Sequence, residues 1–196
     1  MSSEPTGDPT GRPGSDDALA LAARSGDRDA LERLLHEHAD RIHAVCRRIV
    51  GNPEDALDAT QEAMIAVSRG ITRFDGSSRV STWIYRVATN AALDELRRQR
   101  RRPVPAEAEV ASDPRGDATD AVDARLDVDA ALATLPEEYR VAVVLRDLCD
   151  LDYAEIAVVL DVPPGTVRSR IARGRAALEA WLREPDADSR RLSETT

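Results

Sequence analysis

The sequence predicts an all-α protein of two small helical domains joined by a flexible acidic linker. Three observations carry that expectation. Apolar residues recur at helical rather than alternating period along most of the chain. Aromatic residues are scarce, with one Phe, two Trp and three Tyr in 196 residues, so the core must be Leu, Val, Ile and Ala. One internal stretch, Pro103–Asp129, breaks the period with eight acids against two arginines and three prolines, the composition of a linker.

The elements follow in order. Residues 1–15 are rich in Ser, Thr, Pro and Gly and are expected to be a disordered tail. A short helix follows Asp16–Asp17 and stops at Gly26. Asp27 can cap a longer helix ending near Gly51, with Leu31, Leu34, Leu35, Ile42, Val45, Cys46 and Ile49 on its apolar period. Asn52-Pro53 is an N-cap followed by proline at the first helical position. In the helix that follows, about 53–69, Leu57, Thr60, Met64 and Val67 are expected to form the apolar face. Asp55, Asp58 and Glu62 line an opposite stripe, with Gln61 at its edge. Like charges so spaced cost a few tenths of a kcal/mol per pair in an isolated helix. A basic protein partner would turn that cost into attraction; the alternative is a solvated face. An open face lacks the cleft that would push paired carboxylates apart for acid–base catalysis.

The next stretch, Phe74–Arg102, holds three of the six aromatic residues and closes on Arg97, Arg98, Arg100, Arg101 and Arg102. Ser81 reads as the N-cap of its helix. Ile84, Val87, Ala88 and Ala91 share one face, and Trp83, Arg86, Asn90 and Arg97 another. A ring, a guanidinium and an amide on one stripe suit unpaired bases, with arginines on phosphates. The alternative is a core Trp beside a solvated charge run. The first domain is therefore drawn at 16–102 and the linker at 103–128, with a helix able to start near Ala118.

The second domain is drawn at 129–184, followed by a tail at 185–196. Leu135-Pro136 restarts a helix carrying Tyr139, Val143, Val144 and Leu148. Asp152 and Glu155 form a D-x-x-E capping box for a short helix, Tyr153–Leu160. After the turn Asp161–Gly165, a longer helix runs to about Leu182. Two helices across a tight turn make a helix-turn-helix, with Ile156, Leu160, Val162, Val167 and Ile171 as shared core and Ala157 small at the crossing. Val167, Ile171, Gly174 and Leu178 face inward, leaving Arg168, Ser169, Arg173 and Arg175 outside. This is the arrangement of a recognition helix.

Charge and special residues bound the rest. The net charge is −9, yet all 27 basic residues are arginine and they cluster, once after Asn90 and once over Arg168–Arg175. Cys46 and Cys149 read as small core residues. His36, His38 and His43 read as solvated or half-buried side chains, and no Cys/His spacing suggests a metal, so no metal or cofactor is expected. No run approaches the roughly 20 apolar residues of a membrane span. The N-terminus lacks the apolar core of a signal peptide, which points to a cytoplasmic protein.

Three segments together carry a family resemblance: DALDATQEAM from Asp55, RFDGSSRVSTWIYRVATNAALDELRRQRRR from Arg73, and LPEEYRVAVVLRDLCDLDYAEIAVVLDVPPGTVRSRIARGRAAL from Leu135. The chain resembles bacterial RNA polymerase sigma factors of the extracytoplasmic-function type, within the sigma-70 family, over most of Asp16–Glu184. The resemblance implies that the first domain is sigma region 2, the second region 4, with no region 3 between. It implies core-polymerase contacts, on the clamp and the flap, with Asp55, Asp58, Gln61 and Glu62 as the core-binding positions. It implies minus-ten binding and melting through Phe74, Ser77, Ser78, Arg79, Thr82, Trp83, Arg86, Asn90, Arg97 and Arg98. Minus-thirty-five binding falls to Thr166, Arg168, Ser169, Arg170, Ala172, Arg173 and Arg175. Promoter DNA and core polymerase are the implied partners, with an anti-sigma protein, often membrane-bound, as a third. No catalysis is implied, no catalytic residue and no membrane insertion of the chain itself. This chain departs from the family's habit at Leu57, where an acidic or polar residue is usual, near Ala63–Met64, where bulk is usual, at the Asp152 cap, and at Gly174, where alanine is usual. Two other classes remain as alternatives. A free-standing helix-turn-helix regulator would leave Trp83 and the acidic stripe unexplained. A nucleic-acid enzyme would need a metal site or an activated nucleophile.

Overall fold

The computed structural model describes residues 13–102 and 128–183, and they are helical with short connections. The expected helix start near Ala118, most of the linker, and the two tails lie outside the described residues, except that the first helix, α1, spans Pro13–Arg24 and so begins inside the stretch expected as a tail. Helix α2 spans Arg28–Val50. Its cap is Asp27, whose carboxylate accepts from Ala30 N at 3.0 Å. It ends at Gly51, whose φ of 85° is open to glycine at no steric cost. Helix α3 spans Pro53–Gly70, and Asn52 Oδ1 accepts from Glu54 N and Asp55 N at 2.9 and 3.1 Å. Both caps stand where the sequence places them.

A single 3₁₀ turn, Ile71–Arg73, leads through an exposed loop to α4, Val80–Arg101. Here the structure corrects an expectation. Ser81 is already inside the helix, and the residue at the cap, Arg79, makes no side-chain cap. The free Val80 N–H is met instead by Asp17 Oδ1, at 3.0 Å, from α1. A second correction concerns α3. Its buried stripe is Ala56, Ala59, Ala63 and Val67, and Leu57 is 60% exposed. The apolar face is turned toward the alanines, which let α3 close on α2 and α4. Their buried side chains there are Ile42, Val45, Cys46, Ile49, Ile84, Ala88 and Ala92. Cys46 and Cys149 are free and buried, as the sequence suggests, and burial pushes their thiols up to about 11 and about 12. His38 is buried beside Asp16 and His43 Nδ1 lies 3.2 Å from Thr60 Oγ1, while His36 is exposed. Burial holds the His38 imidazole below its ordinary range, against the pull of Asp16.

The second domain begins with α5, residues 128–133. Helices α6, Glu137–Asp147, α7, Tyr153–Leu160, and α8, Pro164–Arg183, complete it. The Asp152–Glu155 capping box is formed in both directions, at 2.8 and 2.9 Å. Asp161 ends α7 in the left-handed region, with φ 52°, and so makes the tight turn to α8. Val167, Ile171 and Gly174 are buried, and Leu178 packs against the core.

The two domains pack directly on one another, α2 against α6 and α4 against α7. Arg140 joins them. It donates to Ile49 O at 2.8 Å in the first domain and to Leu135 O and Ala133 O in the second. Asp129 sits 3.6 Å from Arg47 and 3.7 Å from Arg48, and Arg100 pairs with Glu137 at 2.5 Å.

Gly174 explains one departure from the family's habit. A Cβ there would stand 2.6 Å from Val143 Cγ2 and 3.4 Å from both Tyr139 Cβ and Tyr139 O. Valine is stiff about its first torsion and cannot swing clear cheaply. Gly174→Ala would gain about 1 kcal/mol of helix propensity but meet about 1–3 kcal/mol of overpacking. The expected result is a net loss of about 1 kcal/mol in urea unfolding. Gly165→Ala is the control, since nothing lies within 4 Å of its added Cβ; it should leave stability unchanged or raise it.

Candidate nucleic-acid interface

The acidic stripe of α3 divides in two. Asp58, Gln61 and Glu62 are exposed, with Leu57 beside them. Asp55 is not free in the same way. Its two carboxylate oxygens accept from Arg102 Nη1 at 2.6 Å and Gln99 Nε2 at 2.8 Å, tying the start of α3 to the end of α4. The available acidic face is thus Asp58–Glu62, edged by a leucine that the hydrophobic pattern places in the core.

The arginine run after Asn90 is likewise partly committed. Glu95, 1% exposed, accepts from Arg98 and from Arg102, each at 3.1 Å. A carboxylate buried this deeply holds its partners far better than a surface acid does. Arg97 pairs with the exposed Asp94, a contact that surface solvent makes weak and exchangeable. Arg86 and Asn90 are exposed. Arg86, Asn90 and Arg97 are thus accessible on this helix, whereas Arg98 also serves the fold.

Trp83 and Phe74 form one aromatic unit, with ring centroids 5.5 Å apart and planes at 47°. Phe74 is buried and Trp83 half-buried. The Trp83 ring also covers Gly70, where an added Cβ would lie 3.1 Å from its Cζ2. Part of the indole therefore packs on Phe74 and over Gly70, and the rest is exposed. In the loop between, Asp75 Oδ1 accepts from Ser77 N at 2.9 Å, and Gly76 takes φ 76°. That hydrogen bond holds the Asp75 carboxyl below the usual range. Ser77 and Ser78 stand at the tip, exposed and half-exposed.

Arg79 and Thr82, at the far end of this loop, meet the second domain. Glu155 Oε1 accepts from Arg79 Nε at 3.1 Å, Arg79 Nη2 at 2.6 Å and Thr82 Oγ1 at 2.9 Å. Burial alone would raise the Glu155 carboxyl, but the N–H of Asp152 with Arg79 and Thr82 brings it below the usual carboxylate range. The capping box reveals Glu155 as a helix cap; its second oxygen has no signature in the sequence.

On α8 the predicted surface residues lie outside the core, where the sequence places them. Arg168, Ser169, Ala172, Arg173 and Arg175 are exposed, and Thr166 and Arg170 half-exposed. Their side chains are not equivalent. The Arg168 guanidinium stacks over Tyr153 at 5.7 Å from the ring centroid, with Arg146 at 5.6 Å from the same ring. Arg173 donates to Tyr139 Oη at 3.3 Å, and Arg175 pairs with Asp147. Ser169 Oγ turns back to Thr166 O at 2.9 Å. Tyr153, which aligns Arg168, was not singled out by the sequence reading.

Comparison with known proteins places this geometry. Residues 34–102 match the model of Sigma-70 region 2, and residues 125–178 that of Sigma-70, region 4. The chain is 40% identical over 173 residues to the ECF RNA polymerase sigma factor SigM of Mycobacterium tuberculosis, covering 88% of this chain and 87% of the relative. It is 33% identical over 178 residues to the ECF RNA polymerase sigma-E factor of Escherichia coli, covering 84% and 93%. Among solved structures, CnrH in complex with the cytosolic domain of CnrY aligns with TM-score 0.68 at 24% identity, over 88% of this chain and 99% of that one. The sigma factor RpoE of Bartonella quintana, in complex with the anti-sigma factor NepR, aligns with TM-score 0.64 at 19% identity, over 79% and 98%. At those identities the likeness is one of fold.

The division of the acidic and basic groups is testable by stability alone. Glu95→Ala removes the buried end of two ion pairs and is expected to cost about 2–3 kcal/mol. Asp58→Ala should change stability by less than about 0.5 kcal/mol, as for an exposed site. Urea unfolding followed by circular dichroism checks both; similar losses would mean that Asp58 is as structural as Glu95.

Proposed function

The chain belongs to the extracytoplasmic-function sigma factors of the sigma-70 family, and from that premise we propose how its surfaces share the work of directing core RNA polymerase to promoters and helping to open them. The observation that carries the reading is the helix-turn-helix. Its second helix buries Val167, Ile171 and Gly174 and turns Arg168, Ser169, Ala172 and Arg173 to solvent. A helix so divided can enter a major groove with guanidinium groups at base edges and phosphates. We assign minus-thirty-five reading to Arg168, with Thr166, Ser169, Ala172 and Arg173 beside it, and phosphate contact to Arg170. Arg175, held by Asp147, positions α8 on α6 and meets phosphate from there.

The first domain takes the minus-ten element. Trp83 offers a partly supported ring to an unpaired base, Arg86 and Asn90 flank it, and Ser77, Ser78 and Arg79 line the approach, while Thr82 is buried against Glu155. Phe74 supports Trp83 from beneath. Arg97 faces the backbone of the strand, and Arg98 contributes from its place on Glu95. The exposed acids Asp58 and Glu62, with Gln61, form the face for the polymerase clamp. Asp55 supports that face by fixing α3 against α4. The second domain is assigned to the flap.

Domain limits are proposed at 16–102 and 129–184, with the acidic segment as their connection. The protein performs no chemistry of its own in this reading and acts in the cytoplasm; among the described residues no helix is long and apolar enough to cross a membrane. An anti-sigma protein is the third proposed partner, in line with the NepR complex of the RpoE neighbour.

Run-off transcription with core polymerase on a genomic promoter pool tests the whole assignment. Discrete start sites that depend on this chain are expected; tight, specific duplex binding without any dependence on polymerase would favour a free-standing regulator. Within it, reversing Asp58 and Glu62 to Arg should reduce recovery of core polymerase in a pull-down at least about tenfold, as like-charge juxtaposition costs several kcal/mol. Unaltered helical circular dichroism guards against misfolding, and undiminished pull-down would remove the clamp assignment. Arg168→Ala should relax base preference in the minus-thirty-five element by about 1–3 kcal/mol at one or two positions. Arg170→Ala should weaken binding evenly across sequences. A promoter library that returns unchanged preferences for the Arg168 variant would overturn the base-reading role.

A further inference from the structure

The arginines on the outer face of α8 are held by partners of different kinds. Arg175 pairs with Asp147, and Arg173 donates to the Tyr139 hydroxyl at 3.3 Å. Arg168 rests on a ring instead, with its Cζ 5.7 Å from the centroid of Tyr153. The difference matters for a side chain that reads bases. An ion pair occupies N–H donors. A cation over a π face is attracted to the ring's quadrupole without spending a hydrogen bond, so its N–H groups stay free. A guanine offers O6 and N7 side by side to two such N–H groups. That fork discriminates only when the guanidinium arrives in the right plane.

The ring is itself fixed. Tyr153 is the first residue of α7 and follows Asp152, whose capping box is closed in both directions, at 2.8 and 2.9 Å. Arg146 of α6 reaches the same ring, 5.6 Å from its centroid. Arg146 is anchored in turn, donating from Nη1 to Leu151 O at 2.7 Å, and Leu151 is buried. Tyr153 is 38% exposed, so filling the core does not account for its size. The ring is thus a support built from α6, the turn after it and the start of α7, and the base reader of α8 rests on it. We propose that Tyr153 is a positioning residue for minus-thirty-five recognition: it holds the Arg168 guanidinium in one orientation before DNA arrives, with its N–H groups left for a base edge, and so sets how sharply that base is discriminated. Ordering a long side chain in advance lowers what binding must spend on it. The proposal rests on the base-reading role assigned to Arg168 above and adds a residue that acts through it.

Two substitutions separate the ring from the hydroxyl. Tyr153→Leu keeps apolar bulk but has no π face, and Tyr153→Phe keeps the face and loses only the hydroxyl. Both are compared with Arg168→Ala, and with Tyr153→Leu combined with Arg168→Ala, in the holoenzyme. The readout is run-off transcription from a promoter library randomised over the minus-thirty-five element, with matching helical circular dichroism as the control for fold. Tyr153→Leu should relax base preference about two- to fivefold, the size of an exposed cation–π contact. It should do so at the positions that Arg168→Ala relaxes and at no others. Tyr153→Phe should keep wild-type preferences. Once Arg168 is alanine, Tyr153→Leu should change preferences no further, because a residue acting through another then has nothing to act on. Unchanged preferences for Tyr153→Leu overturn the positioning role, and so does an additive loss in the double variant. A phenylalanine variant that loses output evenly across the library would make the hydroxyl a phosphate contact and overturn it as well. In each of these cases base reading by Arg168 stands if Arg168→Ala itself relaxes preference. Unchanged preferences for Arg168→Ala would remove the reading on which the proposal depends.

Discussion

The fold depends on how closely its helices approach. With one Phe and two Trp in the chain, large rings fill little of the interior. The gap is closed instead by drawing backbones together on small residues: Ala56, Ala59 and Ala63 on α3, Ala88 and Ala92 on α4, Gly174 on α8. Interiors packed this way have little slack, and a single added methyl can find no room. The 2.6 Å approach at Gly174 is the sharpest case. The same tightness fixes the outer faces. Because Ala56 and Ala59 set how α3 turns, Asp58, Gln61 and Glu62 stand outward together. Because Gly174 lets α8 rest on α6, the arginines of α8 project as one surface.

Charge is organised in two grades on that frame. Some contacts are structural: Glu95 holds Arg98 and Arg102 within the end of α4, and Asp55, accepting from Arg102 and Gln99, binds that end to α3. Others lie at the rim, where solvent competes with them, such as Arg97 with Asp94 and Arg175 with Asp147. An all-arginine basic complement suits both grades. A guanidinium can stack on Tyr153, fork onto a carboxylate, or cap a carbonyl, as Arg168, Arg79 and Arg140 respectively do.

Much of this was legible in the sequence, and the limit of legibility is physical. The caps at Asp27, Asn52 and Asp152 were readable because cap and helix are neighbours in the chain. The cap of α4 was not, because Asp17 lies 63 positions from Val80, and a local reading settles on Ser81 instead. Leu57 was assigned to the core because size dominates a hydrophobic pattern; the true stripe is made of alanines, which carry little weight in such a reading. The outward face of α8 was readable from period alone. That its arginines differ was not, since Tyr153, Tyr139 and Asp147 reach them through the fold. The docking of the two domains left no trace in composition, which reports an acidic connection and nothing about what its ends hold.

The Asp17–Val80 contact has a consequence for how the protein is made. Residues of α1 leave the ribosome first and must wait for α4 before their carboxylate finds its N–H. Contacts between distant residues form late, after the entropy of closing the intervening chain has been met. The first turn of α4, which carries Thr82, thus takes its cap from a contact of that late-forming kind. A nascent chain that stops short of α4 leaves the Asp17 carboxylate without its Val80 N–H, so this joint between α1 and α4 can close only once both helices have been made.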